Sequence, residues 1–196
     1  MKKLFVLFLT LMCLMNLQAQ KVTLQDVANG TYRAQSIQWL KPMLDGEHYT
    51  QISKDHKRIV KYSFRTGKEV EAIFDVTKAR NCELKRFDDY IMSPDESLIL
   101  IQTETQPIYR RSFTAVYYLY NVKNRTLEPL SNNGSQQVAL FSPDSHQIAF
   151  VRNNNIYLIK LLFGNSESQV TKDGEYNKVL NGIPDWVYEE EFAFNR

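Results

Sequence analysis

Cysteine is nearly absent from this 196-residue chain, which has only Cys13 and Cys82. Cys13 lies in a segment that export would remove, so no intrachain disulfide can staple the remainder, and Cys82 is read as a buried, inert thiol. Histidine is almost as scarce. His48, His56 and His146 fall in turns or on polar faces, without the spacing of a metal site or a catalytic triad. No phosphate-binding glycine loop occurs, and no cofactor or metal is expected. The nearest approach to a Gly-x-Ser-x-Gly nucleophile elbow, Gly164-Asn165-Ser166-Glu167-Ser168, lacks the second glycine and sits in a polar turn. No apolar run reaches the roughly 20 residues that a membrane-spanning helix needs.

The longest apolar run, Leu4 to Met15, follows Met1-Lys2-Lys3 and precedes the small residue Ala19. A basic start, a short apolar stretch and a small residue make a secretory signal peptide over residues 1–19; an uncleaved leader serving as an anchor is the alternative. The product is expected in the periplasm, at the cell surface or in the medium. Removing Lys2 and Lys3 takes the 24 basic residues to 22, equal to the 22 acidic ones, so the mature chain is formally neutral and offers nucleic acid no basic patch.

What is present is β text. Residues 20–35 read as a helical or linker segment, with Thr23-Leu24-Gln25-Asp26 as a capping box and Gly30 as the stop. Residues 36–196 read as apolar or alternating runs divided by Asp, Asn, Gly, Ser and Pro. A period runs through them. Asp45 is followed after 50 positions by Asp95 and after 49 more by Asp144, and the last two stand in matching Ser93-Pro94-Asp95 and Ser142-Pro143-Asp144 turns. Pro presets such a bend, and the Asp side chain bonds backbone two residues on. Each turn launches one strand, Leu98 to Gln102 or Gln147 to Arg152, and then a second, Ala115 to Val122 or Asn155 to Leu162. The equivalent second strand after Asp45 is Ile59 to Phe64. A repeat of about 40 to 50 residues with four strands is the mark of a β-propeller blade, so the fold class is all-β, a partial propeller of about three blades. Strand Ala115 to Tyr120 is apolar or aromatic on both faces, as a strand between two neighbouring blades must be.

The last stretch, Asp185-Trp186-Val187-Tyr188-Glu189-Glu190-Glu191-Phe192, sets three adjacent carboxylates behind two aromatic residues. Neighbouring like charges repel unless they face water or share a cation. The string Asn181 to Glu191 closely resembles the signature of the dipeptidyl peptidase IV family of serine exopeptidases, whose paired carboxylates fall on Glu190 and Glu191, preceded by Glu189. The segment Tyr109-Arg110-Arg111-Ser112-Phe113-Thr114-Ala115 is similar to the family's aromatic-Arg segment, and the Arg that leans into the site corresponds to Arg110. Arg111 stands where other members have His. Trp186 and Tyr188 are assigned to a core that holds the Glu strip in place.

The resemblance implies a secreted enzyme that removes Xaa-Pro or Xaa-Ala dipeptides from peptide N-termini. Its ammonium would lie between Glu190 and Glu191, with Arg110 orienting a substrate carbonyl. One such charge pair at 4 Å and intermediate dielectric is worth about 4 kcal/mol before desolvation. It also implies an eight-bladed propeller capping an α/β-hydrolase domain that carries Ser, Asp and His. This chain stops before most of that propeller and all of that domain, so it is expected to be inactive alone and poorly soluble, with homodimerisation left open. Two further readings come from other classes: an exported, non-catalytic propeller-like binding module assembled from several chains, and a sensor or translocation propeller of the Tol type. Neither accounts for Asp185 to Phe192.

Overall fold

The computed structural model describes residues 21–34 and 39–194. The predicted leader lies outside them, and no helix among the described residues is long and apolar enough to cross a membrane. The chain divides into two units, one ending at Ile37 and the other beginning at Gln38. In the first, helix α1 (Leu24–Ala28) has the predicted capping box. Thr23 Oγ1 accepts the Asp26 amide at 3.1 Å, the Asp26 carboxylate accepts the Thr23 amide at 3.0 Å, and Gly30 turns the chain away at φ +67°.

The second unit holds three four-stranded antiparallel sheets, each running in chain order. The first contains β1 (Lys41–Pro42), β2 (His48–Ile52), β3 (Arg58–Ser63) and β4 (Glu69–Asp75). The second contains β5 (Asp89–Met92), β6 (Leu98–Pro107), β7 (Phe113–Asn121) and β8 (Thr126–Pro129). The third contains β9 (Gln137–Phe141), β10 (Gln147–Arg152), β11 (Asn155–Lys160) and β12 (Ser166–Gln169). These are the three blades that the period predicts. A helix the β reading did not anticipate, α2 (Trp186–Phe192), follows the last blade. Gly164 and Asn165 form a left-handed turn and Ser166 to Ser168 already belong to β12, so this is not a strand-to-helix elbow.

The repeated turns show why the period exists. The Ser93 hydroxyl donates to Asp95 Oδ1 at 2.7 Å and accepts the Leu98 amide at 2.9 Å, while Glu96 takes the left-handed conformation at φ +59°. Ser142, Asp144, Gln147 and Ser145 repeat this arrangement. So do Ser53, Asp55, Arg58 and His56, an extra copy in the second hairpin of the first blade. The Ser93 hydroxyl and further hydrogen bonds outweigh burial and hold the Asp95 carboxyl well below its ordinary value. The left-handed residue also reaches back one blade. Glu96 Oε1 accepts the Leu44 amide at 2.6 Å, and Ser145 Oγ accepts the Asp95 amide at 3.2 Å.

The middle blade is buried on both faces, as its sequence demands. Ile99 and Ile101 of β6, with Tyr120 of β7, join Phe74 and Phe87 in one cluster. Their alternates Leu100, Ala115, Tyr117 and Leu119 join Ile148, Phe150 and Ile159 in another. Period-two alternation thus supplies two cores from one hairpin. Cys82 packs half-buried against the first cluster, and burial raises its thiol pKa. His48 and His56 are also half-buried: His48 pairs with Asp45 at 2.6 Å, and His56 Nδ1 lies 3.1 Å from the Phe87 carbonyl.

Candidate functional site

The β6–β7 hairpin outruns its blade. Its strands have 10 and 9 residues, against 6 and 6 for β10 and β11. The sequence suggests a loop from Glu104 to Ser112. Instead, strand pairing continues to Pro107 opposite Phe113, and only Ile108–Ser112 forms the tip. A register shift between Thr103 and Gln106, with Glu104 at φ +52°, re-aims this arm, the usual effect of a bulge. Its root is fixed by buried Gln136, which exchanges backbone hydrogen bonds with Ala115 and accepts the Tyr117 amide at 3.1 Å.

Helix α2 meets the tip of this arm. Asp185 caps it by accepting the Tyr188 amide at 2.9 Å. Successive helical residues point about 100° apart, so Glu189, Glu190 and Glu191 fan out and do not form a strip. Glu189 turns inward and is 1% exposed. Its Oε1 accepts the amides of Arg111 at 2.7 Å and Ser112 at 2.8 Å, while Arg111 Nη1 donates to the Glu189 carbonyl at 2.8 Å. Burial alone would raise the Glu189 pKa; the nearby Ser112 hydroxyl, the two amides and the Arg111 charge outweigh it and hold the carboxyl below its usual value. The first carboxylate of the triplet therefore fastens helix to arm.

Glu190 and Glu191 take no part in this grip. Glu190 is partly buried, with its side chain 19% exposed, and Oε2 lies 3.6 Å from Arg110 Nε. The Arg110 side chain is 69% exposed, so this is a surface pair worth at most about 1 kcal/mol and easily rearranged. Glu191 faces solvent. Both acids stand in the last turn of a helix that has no basic residue there. Of the two guanidiniums, Arg110 faces Glu190, while Arg111 is committed to the helix backbone. The assignment of Trp186 and Tyr188 to the core does not hold: they are 54% and 52% exposed. The contact with the arm covers Glu189 and neither ring, and Tyr188 gathers with Phe192 and Phe194 at ring distances of 5.6 and 6.3 Å.

The lead-in to α2 depends on residues that the sequence reading passed over. The β10–β11 hairpin turns on Asn153 and Asn154, both with positive φ, and buried Asn155 follows them. Asn155 Oδ1 accepts the Thr171 hydroxyl at 3.1 Å and the Gly174 amide at 2.9 Å. The Asn154 carbonyl accepts both the amide and the side-chain Nδ2 of Asn181, each at 3.1 Å. The visible signal was the run Asn153-Asn154-Asn155, since Asn tolerates the left-handed conformation that a two-residue hairpin turn requires.

An open cavity of about 1450 Å³ lies between the arm, the third blade and this lead-in, with Tyr109, Arg111, Val138, Arg152, Asp185 and Tyr188 among its lining residues. Its α2 wall ends at Glu189; Arg110, Glu190 and Glu191 do not line it. Arg152, stacked 4.1 Å from the centroid of the Tyr157 ring, is paired with Glu167 and bonded to Ser131, so it is a structural cation. Among the described residues no cluster of His, Cys, Asp or Glu could hold a metal ion.

Comparison with known proteins gives a consistent picture. The family model described as the dipeptidyl peptidase IV (DPP IV) N-terminal region matches residues 93–196. Human prolyl endopeptidase FAP is 34% identical over 173 residues, which cover 87% of this chain and 21% of the relative. A probable dipeptidyl-aminopeptidase B of Emericella nidulans is 49% identical over 104 residues, covering 50% of this chain and 11% of its own. The crystal structure of Porphyromonas gingivalis dipeptidyl peptidase 4 matches with a TM-score of 0.83 and 40% identity, covering 90% of this chain and 25% of that one. The chain spans about a fifth of the length of the curated relatives it matches.

Proposed function

From the chain's membership of the dipeptidyl peptidase IV N-terminal-region family, we propose that these residues recognise the N-terminus of a peptide for a dipeptidyl peptidase releasing Xaa-Pro or Xaa-Ala dipeptides. The names of the relatives include both an endopeptidase and a dipeptidyl-aminopeptidase, so the reading rests on this chain's own carboxylates.

The observation that carries it is the division of labour within the Glu triplet. Glu189 is committed to two amides, whereas Glu190 is half-buried beside a weakly held Arg110 and Glu191 is open. Acids in the last turn of a helix oppose its dipole by about 0.3–1 kcal/mol each, so this end of α2 favours an incoming cation. A peptide's ammonium supplies one and donates charge-assisted hydrogen bonds to both carboxylates. An internal peptide segment has no ammonium, so binding it would leave the pair unmatched. Arg110 is placed to orient a substrate carbonyl with its fork of donors once the ammonium takes over Glu190. The chemistry of bond cleavage belongs to a hydrolase portion outside these residues.

The test is steady-state kinetics on the polypeptide that joins this chain to its hydrolase portion, using Gly-Pro-p-nitroanilide. Glu190→Gln is expected to raise KM roughly tenfold or more, in line with the loss of one charge-assisted contact. Preference for the free-amine substrate over its N-acetyl form should fall with it. An unchanged KM with unchanged preference would sink the reading.

A further inference from the structure

We propose that Asn155, acting through Thr171 and Gly174, is a positioning residue that sets where α2 presents Glu190 and Glu191; the inference deepens the amine-recognition reading and rests on it. Helix α2 has seven residues, and Glu189 is its only buried one. Isolated helices shorter than about 12–15 residues are marginal in water, so its placement must come from contacts with the rest of the chain. One anchor is the Glu189 carboxylate on the arm. With that anchor alone the helix could pivot, and Glu190 and Glu191, which follow the pivot, would swing with it.

The second anchor is the β10–β11 hairpin tip. The strap that leads to α2 starts beside β11, where the Val170 amide donates to the Ile156 carbonyl at 2.8 Å and the Ile156 amide donates to Thr171 Oγ1 at 2.9 Å. Thr171 Oγ1 in turn donates to Asn155 Oδ1, which also takes the Gly174 amide, so one side-chain oxygen holds two points of the strap. Asn155 Nδ2 donates to the Asn153 carbonyl at 3.0 Å, which locks the amide group in this orientation. After a small turn the strap returns to the same tip, where Asn181 donates twice to the Asn154 carbonyl.

Two glycines let the strap run this close. A Cβ on Gly174 would lie 2.2 Å from the Asn154 carbonyl oxygen, and one on Gly182 would lie 2.9 Å from Val151 Cγ2. Only Ile183, Pro184 and the cap Asp185 separate Gly182 from the helix. A displacement at the tip is therefore passed to α2 along a short, constrained path. Misplacing a binding group by about 1 Å can cost about a hundredfold in rate, so modest slack in the strap should be visible in kinetics.

The experiment uses the same joined polypeptide and substrate. Asn155→Leu removes the acceptor, and Asn155→Asp keeps an oxygen for Thr171 and Gly174. The expected result is a KM raised roughly tenfold by Asn155→Leu with kcat within about twofold, only partly restored by Asn155→Asp, which keeps the acceptor but loses the donor to the Asn153 carbonyl, and faster hydrogen exchange in α2 while β6 and β7 keep their protection. Should Asn155→Leu fail to fold, Thr171→Val, which deletes the bridging hydroxyl, decides the matter by the same readouts. Exchange that rises equally in the blades, or an unchanged KM in the folded variant, overturns the inference. Glu190→Gln separates the two failures: if it raises KM while the strap variants do not, only the positioning role falls; if it does not, the amine reading falls first.

Discussion

The β6–β7 and β10–β11 hairpins occupy equivalent places in neighbouring blades, and both hold α2, yet they do so by opposite means. The first is long, bulged at Glu104, and reaches out to the helix, where its backbone amides capture the Glu189 carboxylate. The second stops short at Asn153-Asn154 and receives the strap with side-chain amide and carbonyl groups. One grips through a charge, the other through neutral hydrogen bonds and glycine contacts. A hairpin at the end of a blade can therefore hold a later segment either by extending its strands or by leaving room for that segment to pass.

Removing the charged grip should have the largest effect. Glu189→Ala leaves the Arg111 and Ser112 amides without their acceptor, and two donors left unsatisfied cost about 3 kcal/mol together. Thermal unfolding and dipeptide release measured on the joined polypeptide should both suffer, whereas a variant within 1 kcal/mol of the parent, a bound set for order of magnitude by ordinary neutral hydrogen bonds, would show the grip to be dispensable. The same carboxylate gives an acid signature. Its pKa is lowered by folding, so its contribution is complete above the ordinary value of 4.5 and disappears as pH falls through the folded value. Glu189→Gln should flatten that part of the stability–pH curve.

The neutral grip is the next to break. Gly182→Val forces a β-branched residue to φ +77° and against Val151 and Ile156, at an expected cost of about 2 kcal/mol. If calorimetry shows no loss, the strap does not run as tightly as its contacts require. The smallest effect is expected far from both hairpins. Glu96→Ala deletes the link to the Leu44 amide between the first two blades, and a partly exposed contact of this kind should cost below about 1 kcal/mol in urea unfolding. A larger loss would move the weight of the fold from the hairpins to the turn-to-turn links.

Much of this protein was fixed locally. The spacing of Asp45, Asp95 and Asp144 determined three blades because each Asp turn, two of them with a Ser two residues earlier, closes on its own backbone within five residues. Two-faced apolarity from Ala115 to Tyr120 determined the middle blade's double burial, and the capping box of α1 is equally local. The residues that carry the family resemblance were likewise legible, because Arg110 and the Glu triplet stand in recognisable strings. What tertiary structure decided is which member of each string does what. Glu189 is buried because amides 77 and 78 residues away need an acceptor, while Trp186 and Tyr188 stay exposed and Glu190 is left to Arg110. No periodicity along the chain encodes a partner at that separation, and the role of Asn155 is hidden for the same reason. Its two ligands, Thr171 and Gly174, become neighbours only once the strap has crossed the finished hairpin.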